Sequence, residues 1–172
     1  MKEYINIGKI VATFGVKGEM VLLHSLNKKL VFTKIQALFV EQVKGSYIPF
    51  FVVLSKAKSM EESFIMLDGI TTKEQANQLV TKQVWLLEAD FRKLAGTSSP
   101  ISLLNYHLFN DGVLIGMVEE VIEQPHQVLL KTTYKTKEAL IPLHDQTLTK
   151  IDRKNNEVHV TLPDGLLEIY AE

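Results

Sequence analysis

A glycine-containing turn near the start of the chain has residue types that suggest binding chemistry. Gly15-Val16-Lys17-Gly18 stands between two β-rich runs, and Phe14 precedes it. The spacing matches the GxxG loops that clamp nucleotide backbones, but those loops join two helices. Because both flanks here have β patterning, we interpret Gly15 and Gly18 as the glycines of a tight β-turn. Phe14 and Lys17 are then candidate binding residues exposed on that turn.

Residue types that support catalysis are scattered along the chain. None of the five histidines has the i,i+4 spacing or HExxH pattern of a metal site. We interpret His144-Asp145 as a solvated turn, and Glu119 and Glu120 point to opposite faces if they lie on a strand. The sequence has no cysteine, which excludes a thiolate nucleophile. We therefore predict no catalytic residue, no metal site and no cofactor.

The composition is that of a globular protein rather than a nucleic-acid-binding domain with a dominant basic surface. The chain has 172 residues, of which 46% are hydrophobic, and its net charge is -1. Only two arginines occur, Arg92 and Arg153, which argues against sequence-specific base reading. No run has the length of a signal peptide's apolar region or of a membrane span. We expect a cytoplasmic protein with no membrane association.

The charge differs between the two halves of the chain. Residues 1–91 contain 11 Lys and Arg against 9 Asp and Glu, a balance of +2. Residues 92–172 contain 8 against 11, a balance of -3. The second half is therefore expected to prefer a basic partner.

Alternating apolar residues predict mostly strands in the first half. Thr71 and Glu74 have the spacing of a capping box and predict one short helix, with Ala76 and Leu79 on its apolar face. Trp85, Phe50 and Phe51 lie in apolar runs and are assigned to the core. The predicted strands span residues 4–12, 20–24, 37–43, 47–54, 63–67 and 83–87.

The second half repeats this β pattern after a polar stretch. Residues 92–100 contain Gly, Thr, Ser and Pro in succession and are predicted to be a linker. Asp111-Gly112 predicts a hairpin turn, and the apolar residues 166–170 are expected to dock on the fold. Predicted strands span residues 106–110, 116–123, 127–133, 138–142 and 158–162. The prediction is a mainly β chain with two small β-barrels, residues 1–91 and 101–172, joined by the linker.

Several segments, in order, resemble those of the ribosome maturation factor RimM family. The opening motif of that family is similar to IGKIVATFGVKGE at residues 7–19, and its helix-and-strand segment is similar to residues 68–86. The PRC barrel of the family resembles LLNYHLFNDGVLIGMVEEVIE at residues 103–123. It also resembles ALIPLHDQTLTKID at residues 139–152 and LPDGLLEIY at residues 162–170.

The resemblance implies a non-enzymatic chaperone for assembly of the small (30S) ribosomal subunit head. It implies that the protein assists 16S rRNA processing and contacts 16S rRNA. It also implies that the second domain is a PRC barrel that binds an S19-family ribosomal protein. Candidate partner contacts in the PRC barrel are Leu104, Tyr106 and Leu108. Some family members have a Tyr-Tyr-Trp cluster before the first PRC hairpin, where this chain reads SSPISLLNY.

Two other function classes remain open from the residues alone. One is a flavin- or nucleotide-binding barrel enzyme, since related barrels occur among flavin reductases, although fold does not imply function. The other is a general interaction module, since PRC barrels occur outside ribosome assembly.

Overall fold

The computed structural model describes residues 3–96 and 99–171. The chain divides into two compact units, Met1–Gly96 and Thr97–Glu172. Strands predominate in both units, which confirms the predicted mainly β class with two domains. Within the described ranges, no helix is both long and apolar enough to cross a membrane.

The first unit contains a closed barrel of six strands. Each strand is antiparallel to its neighbours, in the order β1-β2-β5-β4-β3-β6 with β6 returning to β1. All six strands predicted for the first half are present. They are β1 (Tyr4–Phe14), β2 (Glu19–His24), β3 (Ala37–Val43), β4 (Ser46–Ala57), β5 (Glu62–Leu67) and β6 (Gln83–Leu87).

Side-chain alternation along these strands fills the barrel interior. In β5, for example, Ile65 and Leu67 are buried whereas Phe64 and Met66 are only half-buried, as expected when successive side chains face opposite sides. The loop between β2 and β3 adds buried Leu26, Leu30 and Phe32 to this core, and Phe32 begins a short 3-10 turn (Phe32–Lys34). The inward side chains with no exposure include Ile7, Ile10, Met20, Leu22, Leu38, Val40, Val84 and Leu86.

The predicted helix is present, but its cap lies one residue later than expected. Helix α1 (Lys73–Asn77) begins after Thr72, whose Oγ1 accepts a hydrogen bond from Gln75 N at 3.2 Å. Gln75 Oε1 in turn accepts from Thr72 N, which completes the capping box. The prediction that paired Thr71 with Glu74 was therefore wrong, because Thr72 and Gln75 satisfy the same spacing.

A second helix, α2 (Glu88–Ala95), extends the first unit into the predicted linker. Phe91, Leu94 and Ala95 are buried, and Arg92 pairs with Glu88 at 3.1 Å. The prediction of a single helix, and of a linker from residue 92, was therefore wrong, because the last turn of α2 contributes to the core. Residues 97–98 of the predicted linker lie outside the described residues, and Pro100–Leu103 form a 3-10 turn.

The second unit is built from two sheets. One has the order β11-β10-β9, and the other has the order β12-β13-β7-β8, in which β13 and β7 are parallel. Hydrogen bonds from Thr132 Oγ1 to Met117 O and from Glu119 N to Lys131 O join them. The strands are β7 (His107–Asn110), β8 (Val113–Met117), β9 (Glu120–Gln124), β10 (Gln127–Tyr134), β11 (Lys137–Leu143), β12 (Leu148–Asp152) and β13 (Glu157–Val160).

The second unit differs from the sequence prediction at two places in its strands and confirms it at the C-terminal segment. The predicted strand over residues 116–123 is two strands, because the chain leaves β8 after Met117 and joins the other sheet at Glu120. Strand β12 was not predicted. The docking of the C-terminal segment is confirmed: Leu166, Leu167 and Tyr170 contact the core, and helix α3 (Glu168–Ala171) ends the described chain.

Candidate functional site

The Gly15–Gly18 turn joins β1 to β2 and contacts both the first residue of α1 and the segment that precedes that helix. Val16 O accepts a hydrogen bond from Lys73 N at 3.2 Å. Gly18 has a φ of 92°, and a Cβ placed on it would lie 2.3 Å from Ile70 O. Gly15 has a φ of 69° with open space around it. The turn therefore needs both glycines for backbone conformation, and Gly18 also for close approach.

The fixed turn exposes apolar and basic side chains to solvent. Phe14 is 53% exposed and Val16 is 73% exposed, and Lys17 is exposed beside them. The Phe14 ring contacts the Phe64 ring of β5, with centroids 4.8 Å apart. Because the flanking backbone is anchored, these side chains are displayed on a rigid support.

A basic side chain, that of Lys58, lies over the Phe64 ring. The Lys58 ammonium lies 5.8 Å from the Phe64 ring centre and also pairs with Glu62 at 2.6 Å. We call Phe14, Val16, Lys17, Lys58 and Phe64 the turn surface. Such a mixture of aromatic and ammonium groups can stack on, or pair with, a partner, and it carries no group suited to bond cleavage. The sequence predicted Phe14 and Lys17 but not Phe64. Phe64 alternates along β5 with the inward residues Ile65 and Leu67, and this alternation indicates an outward side chain.

In the second unit, two of the three predicted partner contacts lie in the core. Tyr106 is 3% exposed and Leu108 is fully buried, so neither side chain offers area to a partner. These two assignments are corrected to packing roles. Leu104, the third, is half-buried at the end of the Pro100–Leu103 turn.

The hairpin that contains Leu108 exposes other apolar side chains. Val113, Leu114 and Met117 of β8 are 68%, 54% and 45% exposed. Phe109 of β7 stacks on His159 of β13, with ring centroids 4.9 Å apart, and His159 lies 2.8 Å from Glu157. We call Phe109, Leu114, Met117, Glu157 and His159 the hairpin surface.

The Asp111-Gly112 turn closes this hairpin as predicted. Both residues have positive φ, 48° and 81°, which suits a two-residue hairpin turn. Asp111 N donates to Val160 O, and Thr161 Oγ1 donates to the Asp111 carboxylate at 2.8 Å. The turn therefore holds β7, β8 and β13 in register under the hairpin surface.

Comparison with known proteins identifies both units. The family model for the RimM N-terminal domain matches residues 5–91, and the model for the RimM PRC barrel domain matches residues 100–166. The chain belongs to the RimM family. The predicted family resemblance is thereby confirmed, and the two RimM domains occur in the predicted order.

Curated relatives match the chain along almost its whole length. The ribosome maturation factor RimM of Christiangramia forsetii is 28% identical over 98% of this chain and 97% of its own. That of Flavobacterium johnsoniae is 26% identical over 98% of both chains. A RimM crystal structure from Pseudomonas aeruginosa, named as a 16S ribosomal RNA processing protein, covers 94% of this chain and 98% of its own. Its sequence identity is 16% and its TM-score is 0.43.

The residues weighed for catalysis in this RimM-family chain have local structural partners. His144 Nδ1 accepts a hydrogen bond from Gln146 N at 3.1 Å, which ties the ring into its turn. Glu119 accepts from Thr133 Oγ1, whereas Glu120 pairs with Lys131 at 2.7 Å and thereby raises the pKa of that lysine. Across residues 3–96 and 99–171, no group of three or more His, Asp or Glu side chains is arranged to hold a metal ion.

Three aromatic residues assigned to the core have different surroundings. Trp85 is half-buried on the outer surface of the RimM N-terminal barrel, and its Nε1 donates to Glu41 at 3.2 Å. Phe51 is 52% exposed, and Phe50 is half-buried. The assignment of Trp85 and Phe51 to the core was wrong, because an apolar run does not state which side of a strand faces inward.

Proposed function

We propose that this protein is a non-enzymatic maturation factor for the head of the small ribosomal subunit. It assists assembly there and supports 16S rRNA processing in the cytoplasm. The observation that carries the proposal is the match of both RimM domains, in order, over residues 5–91 and 100–166. Relatives of nearly equal length are named ribosome maturation factors, which favours this function over a barrel enzyme or a general interaction module.

The second unit is the part that we assign to an S19-family ribosomal protein. Its hairpin surface combines exposed apolar side chains with the carboxylate of Glu157. Residues 97–172, the second unit, contain 6 Lys and Arg against 11 Asp and Glu, and this balance of -5 favours encounter with a basic protein. This surface replaces the buried Tyr106 and Leu108 as the proposed contact.

The turn surface of the first unit is the part that we assign to 16S rRNA or to protein at the same ribosomal site. Lys17 supplies an exposed positive charge for phosphate, and Phe14 supplies an exposed ring for stacking. The small number of groups available fits a positioning contact rather than base-sequence reading.

A pull-down with the tagged full-length chain tests the proposal. We expect it to retain an S19-family ribosomal protein and precursors of the small subunit, but not the large subunit. Retention of neither the ribosomal protein nor the precursors would contradict the proposed function.

A further inference from the structure

The outer surface of the first barrel carries a second aromatic cluster, on strands β1, β3, β4 and β6. It consists of Tyr4, Phe39, Tyr47 and Trp85, all half-buried, and we call it the aromatic face. Ring centroids lie 4.9 Å apart for Tyr4 and Phe39, 4.7 Å for Tyr4 and Tyr47, and 5.0 Å for Tyr47 and Trp85. The rings therefore form one continuous set of contacts.

Strand register places this cluster on the solvent side of the barrel. Trp85 pairs with Phe39 across β6 and β3, and its chain neighbours Val84 and Leu86 have no exposure. Phe39 pairs in turn with Pro49 of β4, which is exposed. The inward residues thus form the barrel core, and the aromatic face with Pro49 lies outside it.

A carboxylate, that of Glu41, flanks the aromatic face. Glu41 is opposite Tyr47 in the strand register, and it accepts hydrogen bonds from Trp85 Nε1 at 3.2 Å and from Gly45 N at 2.8 Å.

The aromatic rings and the neighbouring carboxylate together favour one class of ligand. Extended proline-containing peptides dock on surfaces lined by Tyr, Trp and Pro side chains, because their backbone is already ordered. Carboxylates beside exposed rings attract Lys and Arg and repel phosphates. The Trp85 indole N–H already donates to Glu41, so it is not needed by a ligand. This chemistry favours a basic peptide over an RNA strand.

We propose that the aromatic face binds an extended, proline-containing segment of a partner protein that carries Lys or Arg. The rings contact the prolines, while the Glu41 carboxylate contacts a basic side chain. This inference concerns a surface separate from the turn and hairpin surfaces, and it does not depend on the proposed ribosomal function.

Trp85 is the single tryptophan of the chain and reports directly on this surface. The test titrates the full-length protein with a synthetic proline-rich peptide containing arginines, and follows Trp85 fluorescence. A matched peptide with glutamate in place of arginine, and an oligouridine strand, are titrated in parallel. We expect saturable binding of the arginine peptide, with affinity at least about tenfold higher than that of either comparator.

Variants locate the binding and separate it from misfolding. Tyr47→Ala is expected to weaken the arginine peptide about tenfold, as for an interface anchor. Glu41→Gln keeps an acceptor for Trp85 yet removes the charge, so it should weaken binding several-fold without changing the thermal midpoint. The control Ile169→Ala removes a 69% exposed apolar side chain that belongs to none of the three named surfaces, and it should leave peptide affinity unchanged.

Three results would overturn the proposal. They are no saturable change with the arginine peptide, equal affinity for the glutamate peptide, or tighter binding of oligouridine. Retained affinity in Glu41→Gln would also contradict it, and this readout holds even if Tyr47→Ala fails to fold.

Discussion

The two glycines of the Gly15–Gly18 turn differ in what surrounds them, so alanine at each should have different effects. A Cβ on Gly18 would lie 2.3 Å from Ile70 O, whereas nothing lies within 4 Å of one on Gly15. We expect Gly18→Ala to lower the free energy of unfolding by about 2 to 3 kcal/mol. Gly15→Ala should cost only about 1 kcal/mol from its positive φ. Urea unfolding followed by Trp85 fluorescence measures both, and equal costs would contradict the close-approach role of Gly18.

Lys17 tests whether the turn surface contacts the ribosomal particle. Lys17→Glu should weaken binding to small-subunit precursors about tenfold, because it places a carboxylate where phosphate is expected. The thermal midpoint should stay unchanged, since Lys17 is exposed. Lys44→Glu makes the same charge change in the exposed β3–β4 turn and serves as the control. If the two variants bind alike in a co-sedimentation assay, Lys17 is not a contact residue.

His24 gives the first unit a predictable dependence on pH. His24 is 4% exposed, neither ring nitrogen has a hydrogen-bond partner among residues 3–96 and 99–171, and burial lowers its pKa to about 4 from 6.5. Above the unfolded pKa both states are neutral, so His24 adds no pH dependence. As the pH falls below that value, His24 becomes protonated in the unfolded state but stays neutral in the folded state. The free energy of unfolding therefore decreases.

The expected loss from His24 is about 2 kcal/mol between about pH 7.5 and about pH 5. Urea unfolding across this range, followed by Trp85 fluorescence, measures it. His24→Leu should remove most of the slope, whereas His126→Gln, at an exposed turn, should leave it intact. An unchanged slope in His24→Leu would show that other groups govern the acid dependence.

Sequence predicted the residues of the turn surface better than those of the PRC barrel. Phe14 follows a long β run and precedes a glycine, so its exposure was predictable from the turn. Leu108 was assigned to a partner contact because it lies in a segment that resembles the family. The preceding His107 is exposed, and successive side chains of a strand face opposite sides, so Leu108 faces inward. Neither the aromatic face nor the buried surroundings of the His24 ring can be predicted from one segment of the chain, because both depend on pairing between distant strands.

At the scale of elements, the alternation of apolar and polar residues predicted most strands. The elements that it did not predict were missed for physical reasons. Helix α2 was missed because its polar residues and the Gly and Ser that follow suggested a linker. Strand β12 was missed because it is an edge strand, paired only with β13, and Thr149 and Lys150 on it are exposed. The break between β8 and β9 has no glycine or proline to mark it, and the two strands join different sheets.

Helix α2 should contribute substantially to the stability of the first unit. Phe91 has no exposure, so Phe91→Ala is expected to cost about 3 to 5 kcal/mol through lost burial and a residual cavity. Phe51→Ala removes the same ring from a 52% exposed site and should cost much less. Thermal unfolding monitored at Trp85 compares them. Similar costs for the two would show that α2 is not part of the barrel's folding unit.

Strand β8 tests the hairpin surface as the contact for the S19-family protein. Leu114 is 54% exposed, so Leu114→Glu should fold normally yet weaken that binding about tenfold or more. Ile169→Glu is the matched control, because Ile169 is 69% exposed on α3. Affinity measured by calorimetry with the purified ribosomal protein decides between them. Equal affinity of both variants would move the contact elsewhere on the second unit.

At the scale of the whole molecule, sequence predicted two mainly β units and the family, because several motifs occur in order. The dividing point differs: the structure places it at Gly96, after α2, whereas composition suggested residue 92. The function proposed for the whole chain combines a basic first unit, through its turn surface, with an acidic second unit, through its hairpin surface.

The central claim is that the chain acts in maturation of the small subunit. Its most direct test is the profile of ribosomal subunits and 16S rRNA ends in a strain that lacks the protein. We predict accumulation of immature 16S rRNA and a deficit of small subunits, both restored by the wild-type chain. Normal 16S ends and normal subunit ratios in the deletion strain would contradict the claim.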